Sequence, residues 1–211
     1  FKLNSNVNFN SAAGSNLNIT GTLTIDDDAT AIFKGTVNAK RINGDVIIEN
    51  GYLKSDYVNG SLSVQGTSSR IAVDEVKQDL IMDSGVLAPG DSPGITVIKK
   101  NYIQNSNATL EIEIAGNNIA VPEYDQLKVG DDITVSGTLE VKFIDGYTAD
   151  SHVFKILTFD SLTGEFDTIN LPTLPADYSW DTTKLYSEGE IRINQNPIAR
   201  DISKKVKENT T

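Results

Sequence analysis

The chain has 211 residues, 18 of them basic and 29 acidic, so its formal net charge is −11, and it contains no cysteine. That charge repels phosphate backbones and anionic lipids, and the absence of cysteine excludes disulfides, thiolate catalysis and cysteine-ligated metal sites. We therefore expect no nucleic-acid partner and, because no apolar run approaches the roughly 20 residues of a spanning helix, no membrane insertion by this chain.

Apolar and polar residues alternate in short segments along most of the chain. A period of two predicts half-buried β-strands, and the Gly, Asn, Asp and Ser residues that bound most of these segments predict turns. The pattern indicates an all-β protein built from many short strands. Clear examples are Leu17-Asn18-Ile19, Leu23-Thr24-Ile25, Leu62-Ser63-Val64, Ile71-Ala72-Val73, Leu110-Glu111-Ile112-Glu113-Ile114 and Leu139-Glu140-Val141-Lys142-Phe143.

A glycine that precedes an aliphatic residue by two positions recurs along the chain as an irregular internal repeat. The first five of these glycines are 14, 9, 7 and 9 residues apart, too close for crossover helices but suited to the sides and corners of a parallel β-helix, or solenoid. Each coil would take roughly 20 residues and advance about 4.8 Å. The pairs are Gly21 and Leu23, Gly35 and Val37, Gly44 and Val46, Gly51 and Leu53, Gly60 and Leu62, Gly85 and Leu87, Gly137 and Leu139, and Gly189 and Ile191.

Three Asn-Gly pairs lie at these corners. In isolation such a pair predicts a tight hairpin, so a meander of antiparallel hairpins is the alternative to the β-helix. The small polar residues of the first hundred positions, mainly Thr, Ser and Asn, favour the β-helix, because they stack in ladders along its faces. The three pairs are Asn43-Gly44, Asn50-Gly51 and Asn59-Gly60.

Composition divides the chain into three segments. Residues 1–86 are predicted to form the solenoid coils, and residues 87–193, which open with LAPGDSPG, to form a more globular β segment that caps the stack. Residues 194–211 are predicted to be a basic tail or a short docking helix, because apolar residues recur there every four positions among basic ones. Aromatic residues cluster in the middle segment: Tyr102, Tyr124, Phe143, Tyr147, Phe154, Phe159, Phe166, Tyr178, Trp180 and Tyr186.

The sequence contains few candidate residues for catalysis or metal binding. The single histidine, His152, lies beside Asp150 and Ser151, but adjacent residues point in different directions and cannot form the relay of a catalytic triad. Two acidic runs carry oxygen ligands that suit Ca²⁺, yet both lack the spaced pattern of calcium loops, so we interpret them as solvated turns. These runs are Asp26-Asp27-Asp28 and Asp131-Asp132.

Glu111 and Glu113 share one face of a predicted strand, and paired carboxylates can divide the acid and base roles of catalysis. The alternation places them toward solvent, so we expect a charged outer face that supports solubility and protects the sheet edge. Gly90 and Gly94 precede a strand instead of a helix, which predicts a corner, not a phosphate loop. The sequence thus predicts no catalytic residue, no metal ligand and no cofactor.

The second half of the chain carries several motifs in a particular order. They are LAPGDSPGITVIKKNYIQNSNATLEIEIAG at residues 87–116, YDQLKVGDDITVSGTLEVKFIDGY at 124–147, FKILTFDSLTGEFDTINLPTLPADYSW at 154–180 and LYSEGEIRI at 185–193. Their order resembles the C-terminal passenger region of autotransporter-type bacterial surface proteins. The resemblance covers about half the chain and implies a right-handed parallel β-helix outside a Gram-negative-type cell.

In that family a separate C-terminal domain exports the passenger, whereas a short basic tail follows Ile193 here, so we expect anchoring or assembly to come from elsewhere. The expected function is that of a secreted, extracellular, non-catalytic structural or adhesive domain at a bacterial cell surface. It would self-associate, even end to end into filaments, or contact a host or matrix surface, with a glycan as a candidate ligand. The alternative is a polysaccharide-active β-helix enzyme, a lyase or a hydrolase.

Overall fold

The computed structural model describes residues 2–3, 7–10, 16–25, 29–118 and 123–197. In this part the chain forms strands with one short helix. In chain order these are β1 (Lys2–Leu3), β2 (Val7–Asn10), β3 (Asn16–Ile25), β4 (Ala31–Lys34), β5 (Thr36–Asn43), β6 (Val46–Glu49), β7 (Tyr52–Asn59), β8 (Leu62–Gln65), β9 (Arg70–Val76), β10 (Leu80–Leu87), β11 (Ile95–Ile98), β12 (Tyr102–Ile114), β13 (Gln126–Val129), β14 (Asp132–Val135), β15 (Thr138–Phe143), β16 (His152–Lys155), β17 (Leu157–Thr158), β18 (Ser161–Gly164), β19 (Thr168–Asn170), β20 (Tyr178–Asp181), α1 (Leu185–Glu188) and β21 (Glu190–Gln195).

Most strands belong to one large sheet whose pairings are parallel, and these pairings arrange the strand segments in three ladders. The first ladder joins residues 16–19, 36–39, 52–55, 70–73, 86–87, 109–114, 138–143 and 168–170. The second joins residues 2–3, 22–25, 41–43, 57–59, 75–76, 95–98, 126–129 and 157–158. The third joins residues 7–10, 31–34, 46–49, 62–65, 80–82, 102–104, 132–135 and 161–164.

Alternate side chains of the ladders meet in a shared apolar core, as the period of two predicts. In the first ladder the aligned positions Leu53, Ile71 and Leu139 are fully buried, while Lys54 on the opposite face is exposed. Burying an aliphatic side chain of this size is worth about 1.5–3 kcal/mol, so successive levels stabilise one another. The all-β prediction is confirmed.

Glycines at the corner before the first ladder allow successive levels to approach closely. A Cβ atom at Gly51 would lie 2.5 Å from the backbone oxygen of Gly35, and one at Gly85 would lie 2.5 Å from that of Ser69. A side chain at either glycine would therefore strike the backbone of the level before it.

The hairpins of the alternative prediction do not form at the three Asn-Gly pairs. The strands on either side of Asn43-Gly44, β5 and β6, pair in parallel with β7 and β8 respectively. Each Asn-Gly pair thus joins two ladders, not two neighbouring strands of one hairpin. Hairpin propensity is overridden because the adjacent strands bury their apolar residues in the same core while pairing with other levels.

Polar side chains stack at the corner before the third ladder. Asp45 accepts a hydrogen bond from the backbone N–H of Ser61, 16 positions later (2.7 Å). Near the other end, Asp132 accepts one from the hydroxyl of Ser161, 29 positions later (2.6 Å). The same corner therefore recurs along the chain while the length of chain between levels increases.

The added length lies mainly at the bend between the first and second ladders. In the early levels one residue makes this bend, Asp56 or Asp74. In later levels the described residues of this bend are 88–94, then 115–118 with 123–125, and then 144–156. We name residues 88–94 the proline-glycine loop, and it contacts the charged cluster described below.

A small antiparallel sheet of β16, β21 and β20 lies at the C-terminal end, while the parallel sheet continues past residue 87 as far as Asn170. The aromatic side chains of this end contact one another: the ring centroids of Tyr124 and Phe154 are 5.3 Å apart, and those of Phe143 and Trp180 are 5.9 Å apart. Strand β21 includes the first residues of the predicted tail. The apolar repeat of that tail falls in residues 198–211, which lie outside the described residues.

Candidate functional site

Two contacts hold the proline-glycine loop on the outer face of the first ladder, and a third joins it to Asp125. Asp91 forms an ion pair with Lys54, and the hydroxyl of Ser92 donates a hydrogen bond to the carboxylate of Glu113. The backbone N–H of Gly94 donates to Asp125 (2.6 Å). These contacts bring residues from three distant parts of the sequence into one cluster.

Glu111 stands two positions before Glu113 in β12 and binds two cations. We name the charged cluster by its members: Lys54, Arg70, Asp91, Glu111, Glu113, Asp125 and Lys142. The two carboxylate oxygens of Glu111 accept hydrogen bonds from Arg70 (2.5 Å), two levels earlier in the first ladder, and from Lys142 (2.6 Å), one level later. Glu111 is only 5% exposed, so the expectation that it faces solvent is wrong. The alternation does place it on the outer face of the strand, but that face is covered here.

Asp125 connects the two insertions at the bend. It is fully buried, and its second oxygen accepts a hydrogen bond from the backbone N–H of Glu113 (2.9 Å) while its first oxygen holds Gly94. Burial raises the pKa of Asp125 to about 7, even though the two backbone N–H groups favour the charged form. Asp125 therefore joins the proline-glycine loop to β12 through two hydrogen bonds, and its charge changes near neutral pH.

The two glutamates of β12 differ in acidity. Burial alone would raise the pKa of Glu111, but the hydrogen bonds and positive charges of Arg70 and Lys142 outweigh it, and the net shift is downward. Burial, followed by the charge of Glu111, raises the pKa of Glu113. Such a divergence suits an acid and a base, yet Glu111 is held by two cations and Glu113 by Ser92, so both carboxylates already serve the fold.

Glu111→Gln should lower the free energy of unfolding by about 1.5 kcal/mol, because the neutral amide weakens two charge-assisted hydrogen bonds. The loss of stability is limited because the side chains of Arg70 and Lys142 are 40% and 47% exposed, so water can solvate them when the carboxylate is gone. Glu140→Gln is the matched control one level along the ladder, since Glu140 accepts from the exposed Asn170 and should lose less than about 0.5 kcal/mol. Urea titration measures both; equal losses would contradict the stabilising role of Glu111.

A groove of about 490 Å³ follows the outer face of the early levels. Amide, ammonium and carboxylate groups line it, and the amide of Asn38 donates to that of Asn18 (2.8 Å). Lys54 contributes to the lining and also forms the ion pair with Asp91, which links the groove to the proline-glycine loop. The polar lining includes Asn18, Asn38, Lys40, Lys54 and Asp56.

The other residues considered from the sequence are engaged elsewhere or lie outside the described part. The ring of His152 packs against Phe154 (4.9 Å between centroids), whereas Asp150 accepts hydrogen bonds from Tyr147 (2.6 Å) and Asn117 (3.0 Å).

Of the two acidic runs considered as calcium ligands, the structure describes one. Asp131 pairs with Lys100 (3.4 Å) and Asp132 with Ser161, so both take part in contacts between levels. Asp26-Asp27-Asp28 lies outside the described residues. Among the residues described, no group of three or more His, Cys, Asp and Glu side chains is arranged to hold a metal ion.

Sequence reasoning missed Arg70, Lys142 and Asp125 as members of one cluster. Arg70 and Lys142 are 41 and 31 positions from Glu111, and the ladder register brings them to it. Asp125 is 12 positions from Glu113 and reaches it from an insertion outside the ladder. The sequence signal for the cluster is the proline-rich corner itself. A long corner packs against neighbouring parts of the chain, so residues near it in the fold are expected to contact it.

Neither a protein-family model nor a curated protein sequence matches this chain. Within the described residues, no helix has both the length and the apolar character needed to cross a membrane.

Proposed function

We propose that this chain is a non-catalytic structural or adhesive domain, secreted and displayed at a bacterial cell surface, and that its ladders form a right-handed parallel β-helix with a globular C-terminal cap. It works without a cofactor, does not insert into the membrane and does not bind nucleic acid. Its contacts are with copies of itself or with a host or matrix surface, including glycans.

The observation that carries this proposal is the stacking of three parallel ladders through eight aligned segments each. With a spacing of about 4.8 Å between levels, the stack spans roughly 34 Å along one axis. A stack of this kind suits a spacer or a displayed surface, because each level adds length and lateral area without a new core.

The partners of the acidic side chains support a non-catalytic role. Glu111, Glu113 and Asp125 are each bound within the fold, and Asp132 is hydrogen-bonded at a corner. General acid and base groups must instead reach a substrate proton, directly or through one water. The charged cluster therefore serves to hold the proline-glycine loop.

Antibodies raised against the purified chain should label intact cells of the bacterium that encodes it. In parallel, beads coated with the chain should adhere to a matrix, a glycan surface or other coated beads, without releasing reducing ends or unsaturated sugars from acidic polysaccharides. Labelling that requires permeabilised cells would contradict surface display. Release of sugar products would replace the structural role by the enzymatic one.

The groove is the observation that favours the second candidate, a polysaccharide-active enzyme. Asp56 at the groove wall has Lys40 and Lys54 beside it, so a carboxylate and two cations line one concave surface. If the chain cleaves glycans there, Asp56→Ala should abolish turnover, whereas Asp160→Ala on the exposed C-terminal side should not. Binding of a glycan without turnover would instead make the groove an adhesive site.

A further inference from the structure

The three Asn-Gly pairs that join ladders carry a reactivity of their own. In such a pair the backbone nitrogen of the glycine can attack the side-chain carbonyl carbon of the asparagine, because glycine has no Cβ atom to hinder the approach. A nitrogen whose N–H group already donates a hydrogen bond must first release it. The hydrogen bonds at each pair therefore decide how readily that pair reacts.

At Asn43-Gly44 the attacking nitrogen is engaged. The N–H group of Gly44 donates to the carbonyl oxygen of Asn59, one level on (3.2 Å). Asn43 is also half-buried, which limits the access of water to its side chain. The contact between this level and the next therefore protects the pair.

At Asn50-Gly51 both residues are engaged. The N–H group of Gly51 donates to the hydroxyl of Ser69 (3.4 Å), and Gly51 is buried. The side-chain oxygen of Asn50 accepts a hydrogen bond from the hydroxyl of Ser68 (3.1 Å). Two hydrogen bonds with the next level thus hold the attacking nitrogen and the group that it would attack.

At Asn59-Gly60 neither group is engaged. The N–H group of Gly60 has no acceptor among the described residues, and the exposed side chain of Asn59 makes no hydrogen bond with them. The carbonyl oxygen of Gly60 does accept from the N–H of Gln78 (3.3 Å). The N–H of Ser61 donates to the carboxylate of Asp45 (2.7 Å). The levels on both sides therefore contact this corner, yet they leave the nitrogen of Gly60 without an acceptor.

We propose that Asn59-Gly60 is a site of spontaneous deamidation in the folded chain. The backbone nitrogen of Gly60 forms a bond to Cγ of Asn59, which closes a five-membered succinimide ring, and the bond from Cγ to the amide nitrogen breaks. That nitrogen leaves as ammonia with the proton that the N–H of Gly60 gives up. Water then opens the ring at either carbonyl and yields aspartate or isoaspartate at position 59. The modification is independent of whether the chain is structural or catalytic.

Both products change a corner at which successive levels lie very close together. A Cβ atom at Gly60 would already be 2.2 Å from the backbone oxygen of Gly44. Isoaspartate carries the main chain through its side-chain carbon and adds one methylene to the backbone, so the residues that follow lose their register with the neighbouring levels. Aspartate keeps the backbone but adds a carboxylate to the corner that holds Asp45, and like charges there repel.

Peptide mapping by mass spectrometry tests the ranking of the three pairs. The full chain is kept in mildly alkaline buffer, once folded and once unfolded in urea, and is then cleaved after its lysines and arginines. In the folded chain, deamidation at Asn59 should be faster than at Asn43 or Asn50 by about fivefold or more, the factor that one hydrogen bond contributes. In urea the three rates should converge, because only the fold distinguishes the pairs.

Equal rates at the three pairs in the folded chain would overturn the proposal, as would conversion of Asn59 in urea alone. Asn59→Gln is the matched control, since glutamine keeps the exposed amide but would have to close a larger ring. After the same incubation the wild type should lose free energy of unfolding relative to this variant, as urea titration measures. An equal loss in both would overturn the effect of the products on the corner.

Discussion

Gly60→Ala should lower the free energy of unfolding by about 3 kcal/mol, near the upper end of overpacking effects. A Cβ atom at Gly60 would lie 2.2 Å from the backbone oxygen of Gly44 and 2.4 Å from its carbonyl carbon. These atoms cannot move aside easily, because the N–H of Gly44 donates to Asn59 (3.2 Å) and the N–H of Val46 to Ser61 (3.0 Å). Relieving the clash separates two levels and weakens the hydrogen bonds between β6 and β8.

Gly21→Ala is the matched control for this prediction. Gly21 also precedes a buried leucine by two positions, but a Cβ atom there would meet no atom of the described residues within 4 Å. The substitution should be neutral or stabilise by about 0.5 kcal/mol, since alanine reduces the freedom of the unfolded chain. Urea unfolding followed by circular dichroism compares the two variants. Similar losses at Gly60 and Gly21 would mean that the close approach of the levels is not what requires glycine.

The sequence was sufficient to predict the strands and the core, because both depend on local rules. Alternation identified residues that the structure buries, and the aliphatic partners in the glycine repeat, such as Leu53, Leu62 and Leu139, are fully buried. The repeat also identified the corners at Gly51 and Gly85, where successive levels nearly touch. What local rules could not decide was whether Asn-Gly pairs form hairpins, since that depends on which strands find a common core.

The charged cluster could not be predicted, because its members meet only through the register of the ladder and the insertion of a loop. Alternation assigns Glu111 to the outer face of its strand, which is correct, but it cannot tell that Arg70, Lys142 and the proline-glycine loop surround that face. A side chain on the outer face of a strand is exposed only where no other part of the chain covers that face. Around Glu111 the side chains of Arg70 and Lys142 cover the outer face, so the rule fails there.

Asp125→Asn should remove a pH dependence of stability between about pH 4 and pH 7. The folded-state pKa of Asp125 is about 7, and its usual value is 3.8, so the folded chain holds a proton that the unfolded chain releases. The stabilisation linked to this proton is therefore complete below about pH 4 and is lost as the pH rises toward 7. Relative to the Asn variant, the wild type should lose on the order of 3 kcal/mol across this interval.

Comparing two variants isolates this effect from the other carboxylates. Asp125→Asn keeps the size of the side chain and one acceptor oxygen for Gly94 or Glu113, but it cannot ionise. Asp160→Asn, at an exposed position, should follow the wild-type pH profile throughout. Urea unfolding at pH 4, 5.5, 7 and 8 gives the difference in free energy at each pH. A constant difference between wild type and Asp125→Asn would mean that Asp125 is charged throughout, with the N–H groups of Gly94 and Glu113 outweighing its burial.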